Sequence, residues 1–169
     1  MSDETVRLCV NAVTIESGDL WKIIEPVLWT GNIYDGPEEY EISLQTFSAA
    51  QRFAFAVIYY CMEINNGGHD QFYSNSTGIV WKDALAAFQA FDLPEFASIL
   101  RESTNRIGGA PSLDRRVRAE QLNRFTPDFH DLDEQFYDAE KVIDLDSRMV
   151  SYIRTHPADF YFDGMIRRS

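Results

Sequence analysis

Residues 48–64 read SAAQRFAFAVIYYCMEI and are the strongest structural signal in the chain. Ser48 with Gln51 three positions later matches a capping box, a pattern that begins helices. The residues that follow are nearly all apolar, and a helix that is apolar on every side is buried on every side. We therefore expect this segment to be the central helix of the fold. Its longest apolar run, Phe53 to Met62, is roughly half of the ~20 residues that a membrane span needs.

Helical periodicity continues on both sides of the central helix. Asn65 to Gly68 should end that helix, because Asn and Gly accept left-handed backbone. Upstream, a short helix is expected over Thr5–Ile15 and another after Asp19, although Pro26 weakens the second prediction. Downstream, the pattern predicts helices over 79–91, 94–107, 112–125, 132–142 and 146–155. With no convincing alternating strand, repeat or linker, residues 1–169 are predicted to be one all-α domain, a compact bundle of roughly seven to nine helices.

The composition is that of a folded protein with a strongly acidic balance. Of the 169 residues, 45% are hydrophobic and 14% are aromatic, enough to build a real core. Twenty-seven Asp and Glu oppose 15 Lys and Arg, which gives a formal charge of −12. Such a field repels nucleic acid and anionic membranes and attracts basic partners. Direct binding to nucleic acid or to a membrane is therefore not expected.

Cysteine usage and the first residues predict a cytoplasmic protein. Cys9 and Cys61 lie far apart, outside any disulfide or metal spacing, which favours a reducing compartment. Residues 1–4 have neither the basic start nor the apolar stretch of a signal peptide.

No pattern of enzyme chemistry stands out. The three histidines, His69, His130 and His156, form no His-Glu-x-x-His or Glu-x-x-His pair. Phosphate-binding, dinucleotide-binding and nucleophile-elbow motifs are absent from the sequence. Carboxylates are so abundant that none is singled out as a general acid or base. We therefore expect no catalytic residue, no metal and no cofactor, and we expect that the protein is not an enzyme.

Charged residues are segregated along the sequence. Residues 1–45 hold nine acids against two bases, residues 128–146 hold eight against one, and residues 101–124 hold six arginines against three acids. Carboxylates three or four positions apart on a helix lie about 5–6 Å apart at Cβ, so a row of them can approximate the phosphates of DNA. The alternative is a solvated acidic face without a partner. Sequence distance does not establish that the two acidic segments share one face.

The segment after the central helix, residues 65–78, reads NNGGHDQFYSNSTG. It resembles the signature of a bacterial DNA-mimic protein family, in which Asn-Gly-Gly is followed by Gln, aromatics, Asn-Ser and Gly. The matching positions are Asn66, Gly67, Gly68, Gln71, Phe72, Tyr73, Asn75, Ser76 and Gly78. His69 departs from the pattern, since the family often has an aromatic residue there. The resemblance also covers the apolar helix before the motif and the helix that begins near Trp81.

The resemblance implies an acidic, helical homodimer that occupies the DNA-binding surface of a helix-turn-helix transcription factor, blocks its binding to DNA and relieves repression. Dimerisation would extend the charge array to match the two half-sites of a dimeric repressor, although the sequence does not show the interface. Eight carboxylates are expected to replace phosphates. They are Glu38, Glu39, Glu41, Asp128, Asp131, Asp133, Glu134 and Asp138.

The motif itself is expected to be structural. Gly67 and Gly68 would turn the chain, Phe72 and Tyr73 would pack inward, and the amides of Gln71 and Asn75 would bond main-chain groups at the turn.

Two other functions remain open. One is an immunity or antitoxin-like inhibitor that blocks a basic toxin or nuclease through the same acidic face. The other is a small-molecule-binding protein or enzyme built around Asn66, Gln71 and Asn75.

Overall fold

A computed structural model describes the backbone of residues 4–168 and the side chains of residues 5–167. Asp3, one of the nine N-terminal acids counted above, lies outside the described residues. The elements are β1 (Glu4–Val10), α1 (Ala12–Ser17), α2 (Leu20–Thr30), α3 (Pro37–Leu44), α4 (Ala49–Ser74), α5 (Trp81–Ala90), α6 (Pro94–Arg106), α7 (Arg115–Phe125), α8 (His130–Val142), α9 (Leu145–Thr155) and β2 (Phe162–Arg168), with 3-10 turns at Ser76–Val80 and Pro157–Phe160. The predicted all-α fold class is confirmed, with one small two-stranded sheet added to it.

Helix α4 occupies the centre of the fold, as predicted. Ser48 caps it by accepting a hydrogen bond from the Gln51 main-chain N–H at 3.0 Å, and the Gln51 side chain accepts one from the Ser48 N–H at 3.0 Å. Helices α2, α5, α7 and α8 all pack against α4. The prediction that α4 is covered on every side holds for most of its length but is wrong at Met62, whose side chain is 57% exposed.

The chain turns sharply inside α4, at Gly67 and Gly68. Gly67 has φ −164° and ψ 20°, and Gly68 has φ 72° and ψ −171°, so neither residue is helical. The predicted end of the central helix is therefore confirmed at this position. Beyond the turn the backbone becomes helical again, and this second part of α4 continues to Ser74.

The prediction of a helix over Thr5–Ile15 is wrong. Residues 4–10 form β1, which pairs antiparallel with β2 so that Val6 lies opposite Ile166, and only Ala12–Ser17 is helical. The apolar residues of β1 fit both the two-residue period of a strand and the 3.6-residue period of a helix. The partner strand, β2, is more than 150 residues away in the sequence. No local pattern could reveal that pairing.

Apart from α3, for which the sequence pattern predicted no helix, the other helices follow that pattern closely. Asp19 caps α2 by accepting a hydrogen bond from the Lys22 N–H at 3.2 Å, and α2 continues through Pro26 to Thr30. An interior proline costs about 3 kcal/mol in an isolated helix, and here the buried apolar side of α2 offsets that cost. The five predicted downstream helices are all present, with ends that differ from the prediction by at most three residues. Among helices of the described part of the chain, none has the length and apolar character that crossing a membrane requires.

Candidate acidic interface

Helix α8 presents a row of carboxylates to solvent. Its inner side buries Leu132 and Phe136 against α4 and α6, which fixes the rotation of the helix. Asp131, Glu134 and Asp138 are therefore exposed on the outer side, at three- and four-residue spacing. The first and the last of these are about 10 Å apart along the helix axis.

Further carboxylates lie near both ends of α8. Asp128 precedes the helix, and Asp70 comes from the second part of α4. Burial raises the pKa of Asp70, and the neighbouring carboxylates of Asp133 and Asp128 raise it further. At the other end, burial and then repulsion between carboxylates raise the pKa of both Glu140 and Asp146. We call the following set the acidic ridge: Asp70, Asp128, Asp131, Glu134, Asp138, Glu140, Asp144 and Asp146. Within residues 5–167, no three His, Cys, Asp or Glu side chains are arranged to hold a metal ion.

Asp133 lies on α8 but points into the protein. Its carboxylate accepts a hydrogen bond from the His69 main-chain N–H at 2.9 Å and lies 2.5 Å from the His69 Nδ1. The other ring nitrogen of His69, which is fully buried, lies 2.8 Å from the Tyr60 hydroxyl. With a side chain that is only 20% exposed, Asp133 is bound to its own protein and presents little charge to a partner.

The ridge carries a few counter-ions of its own. Arg106 pairs with both carboxylate oxygens of Asp131, at 2.5 and 2.9 Å, and this hydrogen bonding lowers the pKa of Asp131. Lys141 lies 2.7 Å from Asp138. Exposed pairs of this kind contribute little net energy, so cations from a partner can replace them at low cost.

The predicted acids of α3 form a separate group. Glu38 and Glu39 are exposed in its first turn. Glu41 instead forms a bidentate ion pair with Arg52, at 2.8 and 3.0 Å, and these hydrogen bonds lower the pKa of Glu41. The Glu41–Arg52 pair places α3 beside the start of α4, and Arg52 also binds Asp83 of α5 at 3.1 Å.

The two acidic groups lie at opposite ends of the first part of α4. The α3 group contacts α4 at Arg52, whereas α8 contacts it at Ile64, whose carbonyl accepts the Tyr137 hydroxyl at 2.9 Å. These two contact points are about 18 Å apart along the helix. The structure therefore does not bring the eight predicted phosphate substitutes into one patch. It brings together Asp128, Asp131, Glu134 and Asp138, and it separates Glu38, Glu39 and Glu41 from them.

The polar side chains of the Asn-Gly-Gly motif bind within the fold. Gln71 donates to Glu63 at 2.7 Å, and Asn75 donates to the same carboxylate at 3.2 and 3.4 Å. The prediction that these two amides bond main-chain groups is wrong, because the side chain of Glu63 reaches across the turn between them. Phe72 is buried, as predicted, whereas Asn66 is exposed at the turn.

Gly78 makes room for a buried arginine. A Cβ at this position would lie 2.5 Å from Nε of Arg118, which comes from α7 and is 0% exposed. The Arg118 guanidinium donates to four carbonyl oxygens, those of Tyr73, Asn75, Ser112 and Leu113, at 2.6–3.2 Å. Burial lowers the pKa of Arg118 to about 10. The end of the motif is thus the docking site for α7.

Sequence reasoning missed the buried polar residues that hold these elements together. In the sequence, His69 is one of three histidines and departs from the motif, and Arg118 is one of six arginines in residues 101–124. No local signal identifies Arg118, because a guanidinium on a polar helix usually faces water. Gly68 makes room for the Asp133 carboxylate, because a Cβ at this position would overlap it.

Comparison with known proteins gives one match. A family model described as DMP19-like protein matches residues 45–156, which is more than half of the chain and includes α4, the Asn-Gly-Gly motif and α8. No curated protein and no solved structure matches the chain.

Proposed function

This chain belongs to the DMP19-like protein family, the family of DNA mimics, and from that membership we propose that it acts as a DNA mimic. In this proposal the acidic ridge occupies the DNA-binding surface of a helix-turn-helix transcription factor. The factor is then unable to bind its operator, and repression is relieved. The observation that carries the proposal is the row of outward carboxylates on α8, with further carboxylates near both ends of the helix.

A cationic partner would favour the charged forms of the partly buried ridge acids. The raised pKa values of Asp70, Glu140 and Asp146 mean that their charged forms are disfavoured in the isolated protein. Arg or Lys side chains from a DNA-binding surface would relieve that penalty. Each exposed contact would add only a modest free energy, so many must act together and binding should weaken sharply with salt.

The experiment that tests this proposal is capture of partners from a lysate of the native host. The wild-type chain is immobilised, bound proteins are identified by mass spectrometry at low and at moderate salt, and the recovered protein is then tested for release from its operator DNA. We expect salt-sensitive recovery of a helix-turn-helix transcription factor. The ridge variant carries Asp70→Lys, Glu134→Lys and Asp138→Lys, and it should lose this partner.

A matched control separates the ridge from net charge. The changes Glu16→Lys, Glu120→Lys and Asp159→Lys replace three exposed acids outside the ridge. Both variants carry a formal charge of −6, since three acid-to-lysine changes add six to −12. The control should retain the partner. Equal binding by both variants would show that the ridge is not the interface, and recovery of a basic nuclease instead of a transcription factor would favour the immunity-like alternative.

A further inference from the structure

An apolar groove lies between α2 and α4, and its volume is about 630 Å³. Leu28 and Ile58 line it and connect it to the hydrophobic core. Trp21 and Trp29 of α2 and Met62 of α4 also line it, and they are 53%, 45% and 57% exposed. A concave site of this volume, lined by aromatic side chains with a few polar groups, is typical of sites that bind small molecules.

The walls of the groove are held in place by packing. Helices α2 and α4 contact each other directly. The ring of Tyr59, which also lines the groove, lies 4.7 Å from the ring of Phe55 in the core, measured between centroids. Trp21 and Trp29 are eight residues apart in the sequence, which is about 12 Å along the helix axis. The groove is therefore a largely preformed site for an elongated apolar body that contacts both indoles.

The charges at the groove favour a cationic ligand. Asp19 and Glu25 line it against Lys22 alone, and the Lys22 ammonium lies 3.3 Å from the Asp19 carboxylate. The lining thus carries one carboxylate in excess, on a chain whose formal charge is −12. Both charges repel an anionic ligand and attract a cationic one.

The aromatic side chains of the groove point to the same class of ligand. The faces of Trp and Tyr rings attract cations, and the attraction grows when water is excluded from the contact. Met62 adds a flexible, polarisable thioether, which adapts to the shape of an apolar body. A neutral apolar compound would gain only from the burial of surface, whereas a cation on the same body would also gain from the rings and the carboxylate.

We propose that this groove binds a small organic cation, an ammonium or guanidinium group attached to an apolar body. The body lies against Trp21, Trp29 and Met62, and the cationic group lies on the side of Glu25. Binding requires no transcription factor, so this site is independent of the proposed DNA-mimic function.

Three compounds with the same apolar body test the preference for a cation. They are the cation para-tert-butylbenzylammonium, the neutral para-tert-butylbenzyl alcohol and the anion para-tert-butylbenzoate. Isothermal titration calorimetry of the wild-type chain at pH 7 measures the dissociation constant of each. We expect the cation to bind at least about tenfold more tightly than the alcohol, and the benzoate to bind more weakly than both.

Substitutions in the groove test the place of binding. Trp21→Leu removes a ring at an exposed position and keeps the position apolar, and Glu25→Gln removes the excess charge while it keeps the size of the side chain. Each should weaken binding of the cation at least about fivefold, and Glu25→Gln should leave binding of the alcohol unchanged. The matched controls, Tyr161→Leu and Glu120→Gln, change an exposed aromatic residue and an exposed acid outside the groove. Both controls should bind the cation as the wild type does.

Three results would overturn the proposal: no saturable binding of the cation, a cation that binds no more tightly than the alcohol or the benzoate, or groove variants that bind it like the wild type. These results would leave the DNA-mimic proposal standing. Loss of that proposal in the lysate experiment would likewise leave the affinity for the cation unaffected.

Discussion

The two sides of α8 use the same kind of side chain in opposite ways. On the outer side, Glu134 and Asp138 are exposed and contact His130 and Lys141 of their own helix. On the inner side, Asp133 binds the main chain and ring of buried His69. The outer carboxylates are available to a partner, whereas the inner one attaches α8 to the turn in α4. The role of a carboxylate on α8 therefore depends on the side of the helix that carries it.

A second buried charge completes the contrast with the ridge. Arg118 attaches α7 to the end of the motif through four carbonyl oxygens, just as Asp133 attaches α8 to its beginning. We call Asp133 and Arg118 the buried anchors. Substitutions at the anchors should change the free energy of unfolding, and substitutions on the ridge should change partner binding instead.

The largest effect on stability is expected at Arg118. Arg118→Ala removes four hydrogen bonds and leaves buried carbonyl groups without donors, so it should lower the free energy of unfolding by about 3–5 kcal/mol. Arg116, exposed on the same helix, is the control, and Arg116→Ala should change it by less than about 0.5 kcal/mol. Urea denaturation measures both values, and similar values for the two variants would contradict the anchoring role.

Asp133 gives the direct comparison within α8. Asp133→Ala leaves the buried N–H of His69 without its acceptor, so it should lower the free energy of unfolding by about 2–4 kcal/mol. Glu134→Ala, one position along the helix, should change it by less than about 0.5 kcal/mol. Thermal and urea denaturation of the two variants measure the difference. A larger loss of stability for the exposed residue would reverse the assignment of the two sides.

A smaller effect is expected at Gly68, where the turn in α4 meets Asp133. Gly68→Ala both strains a backbone with φ 72° and overlaps the Asp133 carboxylate, so it should cost about 2–3 kcal/mol. Gly109 has φ 85° and no atom within 4 Å of a Cβ, so Gly109→Ala should show the backbone strain alone, about 1 kcal/mol. Urea denaturation measures the loss of unfolding free energy in both variants. Equal losses would show that the overlap with Asp133 does not contribute to the cost of Gly68→Ala.

The smallest effect concerns the pH dependence at the end of the ridge. Burial raises the pKa of Glu140, so ionisation of Glu140 should destabilise the folded protein as pH rises through that pKa. Glu140→Gln cannot ionise and can still accept the hydrogen bond from Asn65. The variant should be more stable than the wild type at pH 7, by less than about 1 kcal/mol, and the difference should vanish below the ordinary pKa of Glu, about 4.3. Unfolding measured from pH 4 to 7 tests this, and a difference that does not vary with pH would contradict it.

Much of the fold was predictable because its signals are local. The capping box at Ser48, the turn at Gly67 and Gly68 and the cap at Asp19 each involve residues within four positions of one another. The strand β1 was not predictable, because the apolar spacing of residues 4–10 also suits a helix and the pairing with β2 comes from the other end of the chain.

The candidate site was predictable in part for the same reason. The sequence placed Asp128, Asp131, Glu134 and Asp138 close together because they lie on or beside one helix. It could not show that Asp133 turns inward, since that depends on where His69 lies. Nor could it show that the α3 acids and the ridge pack at opposite ends of the first part of α4.

Most of the helices, the caps at Ser48 and Asp19, the acidic balance and the family motif can be derived from the sequence alone, because these depend on spacing, residue type and short-range hydrogen bonds. Only the tertiary structure decided which carboxylates face solvent, which charges are buried and which apolar side chains remain uncovered on α2 and α4. The physical reason is that burial is a property of contacts between segments distant in sequence. A charge becomes an anchor or part of an interface according to those contacts.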